Sequence, residues 1–79
     1  MHVVIAKVDK VLFDGEARSL TVPGAAGEMT ILGKHMPLVS TLKAGIIVVR
    51  DAHAEQKRQE FPIHGGVLEV RRDGATVIL

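Results

Sequence analysis

The chain has 79 residues, a hydrophobic fraction of 47% and ten Lys/Arg against nine Asp/Glu, which gives a formal net charge of +1. A domain of this size buries only about 60% of the surface that its unfolded chain exposes. Cysteine is absent, which excludes disulfides, thiolate nucleophiles and cysteine-ligated metals, and the mixed charges argue against a nucleic-acid-binding tract. No apolar run approaches the roughly 20 residues of a spanning helix, and we expect neither a signal peptide nor a membrane anchor.

The first part of the chain predicts two strands, His2–Val8 and Glu16–Val22, because both stretches are rich in Val, Ile, Leu and Thr. The pair Asp14-Gly15 lies between them and predicts a tight turn with positive φ. Over residues 19–22 hydroxyl and aliphatic side chains alternate, which predicts a sheet with one buried face.

The middle of the chain predicts three more strands. Pro23-Gly24 ends the second strand, and a third follows in which Met29 and Ile31 alternate with Glu28, Thr30 and Leu32. Leu38–Leu42 is the fourth extended segment. The run 46–49 after Gly45 contains four consecutive β-branched residues, which pack well on a pleated sheet, so it predicts a central strand.

The segment Ala52–Glu60 is composed largely of good helix formers, so a short helix is one interpretation. It carries no apolar stripe by which a helix would dock. We therefore expect a long exposed hairpin that returns through residues 60–63, with Pro62 on an edge strand or at a bulge.

The last two apolar runs, residues 67–70 and 75–79, are separated by a segment containing Asp73-Gly74 and predict a hairpin. About eight short strands with frequent turn signals predict an all-β fold, a flattened antiparallel β-sandwich or barrel of about 8–10 short strands. We expect one domain, residues 1–79, with its termini close together in space.

No combination of residues has the spacing of a catalytic or metal site. His64, with His35, His53 and Glu69, would form a cupin-like metal site only if separate strands converged, since no local ligand spacing supports it. The serines lack a Gly-x-Ser-x-Gly turn, and the glycine pairs lack the Lys-Ser/Thr ending of a phosphate loop. The sequence predicts no enzyme, no cofactor and no small-molecule substrate.

The ordered motifs of the chain resemble a known family. They are the stretch 27–40, Phe13-x-Gly15, Lys43-x-Gly45 and the run Gly65-Gly66-x-Leu68-Glu69-Val70. Together they resemble the N-terminal domain of the ATP synthase epsilon subunit, from about Val8 to Leu79. The resemblance implies a flattened β-sandwich in the central stalk of the rotary ATP synthase, on the cytoplasmic face of the bacterial plasma membrane or the equivalent matrix or stromal face.

In that family the sandwich contacts the gamma subunit and stands on the polar loops of the membrane c-ring, coupling ion translocation to ATP synthesis without chemistry of its own or insertion into the membrane. Residue by residue, the resemblance assigns Gly27, Glu28 and Ile31 to the c-ring interface and His35 and Ser40 to the gamma interface.

The sequence departs from the family motif at several positions. Thr30 replaces the usual glycine, Gly33-Lys34 replaces Pro-Gly, and His64 replaces a frequent serine. Family members usually continue into two C-terminal helices that inhibit ATP hydrolysis and in some bind ATP, whereas this chain ends at Leu79. The alternatives are a β-sandwich adaptor in another protein complex and, less favoured, a metal-dependent β-barrel enzyme.

Overall fold

A computed structural model describes residues 1–34, 36–54 and 56–79, and everything below concerns those residues. They form eight strands. The strands are β1 (His2–Lys7), β2 (Lys10–Gly24), β3 (Gly27–Leu32), β4 (Leu38–Leu42), β5 (Gly45–Asp51), β6 (Arg58–Ile63), β7 (Gly66–Arg71) and β8 (Gly74–Ile78). The described residues contain no helix, which confirms the predicted all-β class. In the same part of the chain no helix is long and apolar enough to cross a membrane.

The long strand β2 joins the two layers of the sandwich. Its first half pairs with β1, and its second half pairs with β3 and β5. One layer continues from β1 through β8 and β7 to β4, and the other extends from β5 to β6. The pair Gly24 and Leu42 connects the end of β2 to β4, so the first layer nearly closes on itself.

The core between the layers is aliphatic, since the sequence contains two phenylalanines and neither tyrosine nor tryptophan. The buried hydrophobic residues are Val3, Ile5, Ala17, Leu20, Val22, Ile31, Leu42, Ile47, Val49, Ile63, Leu68, Val70, Ala75 and Val77. The two phenylalanines, Phe13 and Phe61, pack at the margin of this core in an edge-to-face pair with ring centroids 6.2 Å apart. Ser19 lies opposite Leu32 on the outer side of β2 but is still buried, so the predicted one-sided burial is incomplete there.

The predicted turn at Asp14-Gly15 is wrong. Both residues lie inside β2, where they pair with Val4 and Val3, and the chain reverses at Val8 and Asp9 instead. The carboxylate of Asp14 is accommodated on a strand because it points outward and lies 2.7 Å from Nε2 of His2. The Asp-Gly pair therefore serves strand pairing here rather than chain reversal.

The last hairpin is confirmed, but its loop residues are Arg72 and Asp73, and Gly74 already belongs to β8. Gly74 is needed for a different reason, because a Cβ at this position would overlap the carbonyl oxygen of His2. This close approach arises because β1 and β8 pair in parallel, whereas entirely antiparallel pairing was expected. The two chain ends consequently lie at opposite ends of this strand pair, so the expectation of neighbouring termini is wrong.

The hairpin predicted after the central strand is confirmed. β5 and β6 pair antiparallel from Gly45 with Ile63 to Arg50 with Arg58. β6 is an edge strand, which suits Pro62 because that residue has no N–H to donate. The described residues of the connecting loop are not helical, and Glu55 lies outside the described residues.

Candidate protein-interaction surfaces

Glu28 lies on an exposed rim built from two linked turns. It is the second residue of β3 and pairs with Pro23, next to the turn that joins Gly24 to Gly27. The N–H of Ala25 donates to the Thr41 carbonyl at 2.9 Å. These contacts fix the carboxylate on one end of the sandwich.

Glycine holds this turn in shape at two positions. Gly27 has φ of 140°, a conformation that residues with a side chain rarely adopt. A Cβ at Gly24 would lie 2.6 Å from the Gly27 carbonyl oxygen. Besides the Ala25–Thr41 hydrogen bond, a second backbone hydrogen bond connects this turn to the segment between β4 and β5: the N–H of Lys43 donates to the Pro23 carbonyl at 2.9 Å.

The outer face beside Glu28 is partly apolar. A shallow depression of about 650 Å³ lies beside Glu28. Its lining includes Pro23, Lys43 and Ile46, together with Arg58 and Glu60 of the edge strand β6. Ile46 is 52% exposed, although an outward side chain on a solvated sheet face is usually polar. The four-residue apolar run 46–49 carries this signal in the sequence, because only two of its side chains can face the core.

Ile31 lies in the core rather than on the surface. It pairs with Leu20 in the middle of the β2–β3 ladder, and only 1% of it is exposed. Its side chain thus offers no contact surface, and its part in any interface is to hold β3, and with it Glu28, in place. The alternation of Met29 and Ile31 with exposed residues already indicates this orientation.

Of the two candidates for the gamma interface, the structure describes only Ser40. Ser40 is half-buried in β4, where it pairs with Leu68, and its hydroxyl donates to the Thr41 carbonyl at 3.2 Å. His35 lies outside the described residues. The described residues therefore do not test whether Ser40 and His35 share one surface.

Most ion pairs of the described residues lie at the surface, whereas the nearly buried N-terminal ammonium lies 3.6 Å from Oε1 of Glu16. The Asp51 carboxylate accepts the N–H groups of His53 at 2.7 Å and Ala54 at 3.0 Å. The His53 hydrogen bond is the main cause that lowers the pKa of Asp51. Among residues 1–34, 36–54 and 56–79, no group of three or more His, Asp or Glu side chains is placed to hold a metal ion.

The profile of the family described as "ATP synthase, Delta/Epsilon chain, beta-sandwich domain" matches residues 1–79. The chain belongs to this family. Among curated relatives, ATP synthase epsilon chain 2 of Burkholderia orbicola (strain AU 1054) is 38% identical over 78 residues, which is 99% of this chain and 51% of the relative. The ATP synthase epsilon chain of Xanthomonas euvesicatoria pv. vesicatoria (strain 85-10) is 40% identical over 75 residues, or 95% of this chain and 52% of the relative.

Solved structures show the same fold. A chain of the Euglena gracilis mitochondrial ATP synthase, from a cryo-EM structure of OSCP/F1/c-ring in rotational state 1, matches with a TM-score of 0.86 and 23% identity, covering 96% of this chain and 48% of that one. A chain of the Tetrahymena thermophila mitochondrial ATP synthase central stalk/c-ring structure matches with a TM-score of 0.81 and 17% identity, covering 99% and 61%. The present chain thus spans about half the length of the curated relatives.

Proposed function

We propose that this chain is the β-sandwich of a central-stalk subunit in a rotary ATP synthase. It links the gamma subunit to the polar loops of the c-ring and couples ion translocation to ATP synthesis, without catalysing a reaction itself. The observation that carries the proposal is the family match over residues 1–79. The eight-stranded sandwich supports it, since TM-scores of 0.86 and 0.81 relate this fold to chains of ATP synthase structures.

Within this function, Glu28 is the proposed c-ring contact, and Gly27 and Ile31 position it. Glu28 is exposed, whereas Ile31 is buried beneath the same strand. A carboxylate on a rim held by cross-turn backbone hydrogen bonds is suited to a partner loop carrying cationic or N–H donors, because a charge-assisted hydrogen bond is about twice as strong as a neutral one.

We further propose that Ser40 and His35 face the gamma subunit, and that the chain acts as one domain over residues 1–79, peripheral to the membrane. The cytoplasmic face of the bacterial plasma membrane, or the equivalent matrix or stromal face, is the location that this role requires. Nothing in the role needs a cofactor or a small-molecule substrate.

The test is co-purification and coupling in cells whose own epsilon subunit is deleted. A tagged chain is expected to recover alpha, beta, gamma and c subunits and to restore ATP-driven ion pumping in membrane vesicles. Glu28→Ala should lower pumping relative to ATP hydrolysis while gamma is still recovered. Ser40→Ala should lower the recovery of gamma.

Lys57→Ala, in the exposed loop between β5 and β6, is the matched control. Recovery of an unrelated protein complex in place of gamma would support the adaptor alternative and refute the proposal. A loss of gamma recovery caused by Lys57→Ala alone would show that the faces are wrongly assigned.

A further inference from the structure

The edge strand β6 leaves one side of its backbone unpaired. It ends the strand order of the sheet, and among the described residues β5 is its only sheet partner. The N–H of Asp51 donates to the Lys57 carbonyl at 3.0 Å, so the Lys57 carbonyl points towards β5. The direction of the backbone groups alternates along an antiparallel strand. Arg58 and Glu60, one and three positions further on, therefore direct their N–H and C=O groups away from the sheet.

This open edge carries two opposite charges. The guanidinium of Arg58 lies 2.9 Å from Oε2 of Glu60, and both side chains are exposed. Charges on an edge strand normally prevent it from pairing with another chain. That protection depends on repulsion between like charges. Arg58 and Glu60 lie one position before and one position after Gln59, so they match when the strand meets a copy of itself.

An antiparallel pair centred on Gln59 makes the edge self-complementary. In this register Arg58 faces Glu60 of a second copy, and Glu60 faces Arg58 of that copy. The backbone groups that bond across the axis are those that point away from β5. Moving the centre to Arg58 or to Glu60 places like charges directly opposite each other, which is destabilising. The charges therefore select one register.

A second carboxylate also offsets a repulsion within the sandwich. Arg58 pairs directly with Arg50 of β5, and the side chains of directly opposite residues lie on the same face of a sheet. Two guanidinium groups in such positions repel each other. In the register centred on Gln59, Glu60 of the second copy lies on the other side of Arg58 and opposes this repulsion.

The other open edge of the same layer lacks the pattern. Within the described part of the chain, β3 pairs with β2 alone. The six residues of β3 include one charged side chain, that of Glu28. Pairing of β3 with its own copy would therefore form no ion pair, and charge complementarity favours β6.

We propose that β6 pairs antiparallel with β6 of a second copy of this chain, about a twofold axis at Gln59. The contact uses the same patch on both copies, so it closes as a dimer. The pairing ends at Pro62, which has no N–H to donate. The contact is therefore short, and the dimer is weak and reversible. The proposal concerns the free chain and does not depend on the stalk function.

Sedimentation equilibrium of the purified chain tests the dimer. Loading concentrations from about 1 μM to about 1 mM cover the affinities of a small interface. We expect a monomer–dimer equilibrium that shifts towards monomer at high salt, because exposed ion pairs are then screened. A chain that stays monomeric at about 1 mM, or that grows beyond the dimer, would overturn the proposal.

Charge exchange tests the register. Arg58→Glu and Glu60→Arg each place like charges across the axis. An exposed ion pair is worth about twofold to fivefold in affinity and the axis counts each change twice, so either variant should weaken dimerisation about tenfold or more. A mixture of the two variants restores opposite charges at both pairs and should give a heterodimer that is stronger than either homodimer. Lys10→Glu, at the exposed start of β2, changes the net charge as Arg58→Glu does and should leave dimerisation unchanged.

Glu60→Pro tests the backbone contact. It removes an N–H that points away from β5, so the β5–β6 ladder is kept, as it is at Pro62. Glu60→Pro should abolish dimerisation, and Glu60→Gln, which keeps the N–H, should weaken it less. Circular dichroism checks that each variant is folded. A folded Glu60→Pro variant that still dimerises would overturn the proposal, and so would a mixture of the two charge variants that forms no heterodimer, whether or not Glu60→Pro folds.

Discussion

The closure of the sandwich by β1 and β8 makes Gly74→Ala the most informative single substitution. Gly74 is buried and pairs with His2 across the parallel ladder. An added Cβ would overlap the His2 carbonyl oxygen and lie 3.1 Å from the His2 carbonyl carbon. These are backbone atoms, so no side-chain rotation can relieve the contact, and β1 has to move away from β8.

Overpacking of this kind costs about 1–3 kcal/mol, a large part of the roughly 3–5 kcal/mol that a small core provides. Since 1 kcal/mol shifts the melting temperature of a domain this size by about 4–8 °C, we expect Tm to fall by about 5–20 °C. Gly33→Ala is the matched control, because a Cβ there meets no atom within 4 Å. It should change the free energy of unfolding by less than about 0.5 kcal/mol.

Thermal unfolding followed by circular dichroism measures both variants, and amide hydrogen exchange locates the effect. Exchange should accelerate in β1 and β8 of Gly74→Ala more than in β5. If Gly74→Ala melts within about 2 °C of Gly33→Ala, a shift too small for the expected cost, the close approach of the two strands does not constrain the fold and the reasoning fails.

Two further predictions concern the loops. Lys34→Gly should raise the free energy of unfolding by about 1 kcal/mol, because it relieves the left-handed conformation of Lys34, whose φ is 62°, and a chemical denaturation midpoint equal to that of the wild type would contradict this. The pKa of Asp51 is lowered in the folded state from its ordinary 3.8, so its hydrogen bonds to the loop stabilise the fold above that pH and the contribution is lost as the pH falls through the folded pKa. The Tm difference between wild type and Asp51→Ala should therefore be constant above about pH 5 and shrink on acidification; a difference that grows below pH 4 would refute this.

Sequence periodicity predicted strands well where local signals agree. The bounds Leu38–Leu42 coincide with β4, because Pro37 precedes the strand and Gly45 follows soon after it. The signal failed at Asp14-Gly15, since a dipeptide that permits a turn does not require one when its carboxylate finds a partner on the neighbouring strand. The parallel pairing of β1 with β8 joins segments about 70 positions apart, and no local propensity reports contacts at such a distance.

The candidate surfaces, like the strands, were predictable from the sequence only in part. The motif in residues 27–40 predicts Glu28 as an interface residue, and the burial of Ile31 follows from its alternation with its neighbours in β3. The apolar surroundings of Glu28, including Ile46, depend on pairing between β2 and β5, which the sequence does not specify. The guanidinium of Arg71 contacts the carboxylates of Glu69 and Asp73 together, a geometry that only the folded chain shows.

The parallel β1–β8 ladder also has a kinetic consequence. Of the eight strands of the sandwich, β1 is synthesised before the others and β8 after them. During synthesis β1 can form its hairpin with β2, but its other edge has no partner until residues 74–78 emerge. Exposed strand edges are templates for pairing between chains, and folds completed by such distant contacts form in about milliseconds to seconds. The nascent sandwich should therefore be most prone to aggregation just before its final strand appears.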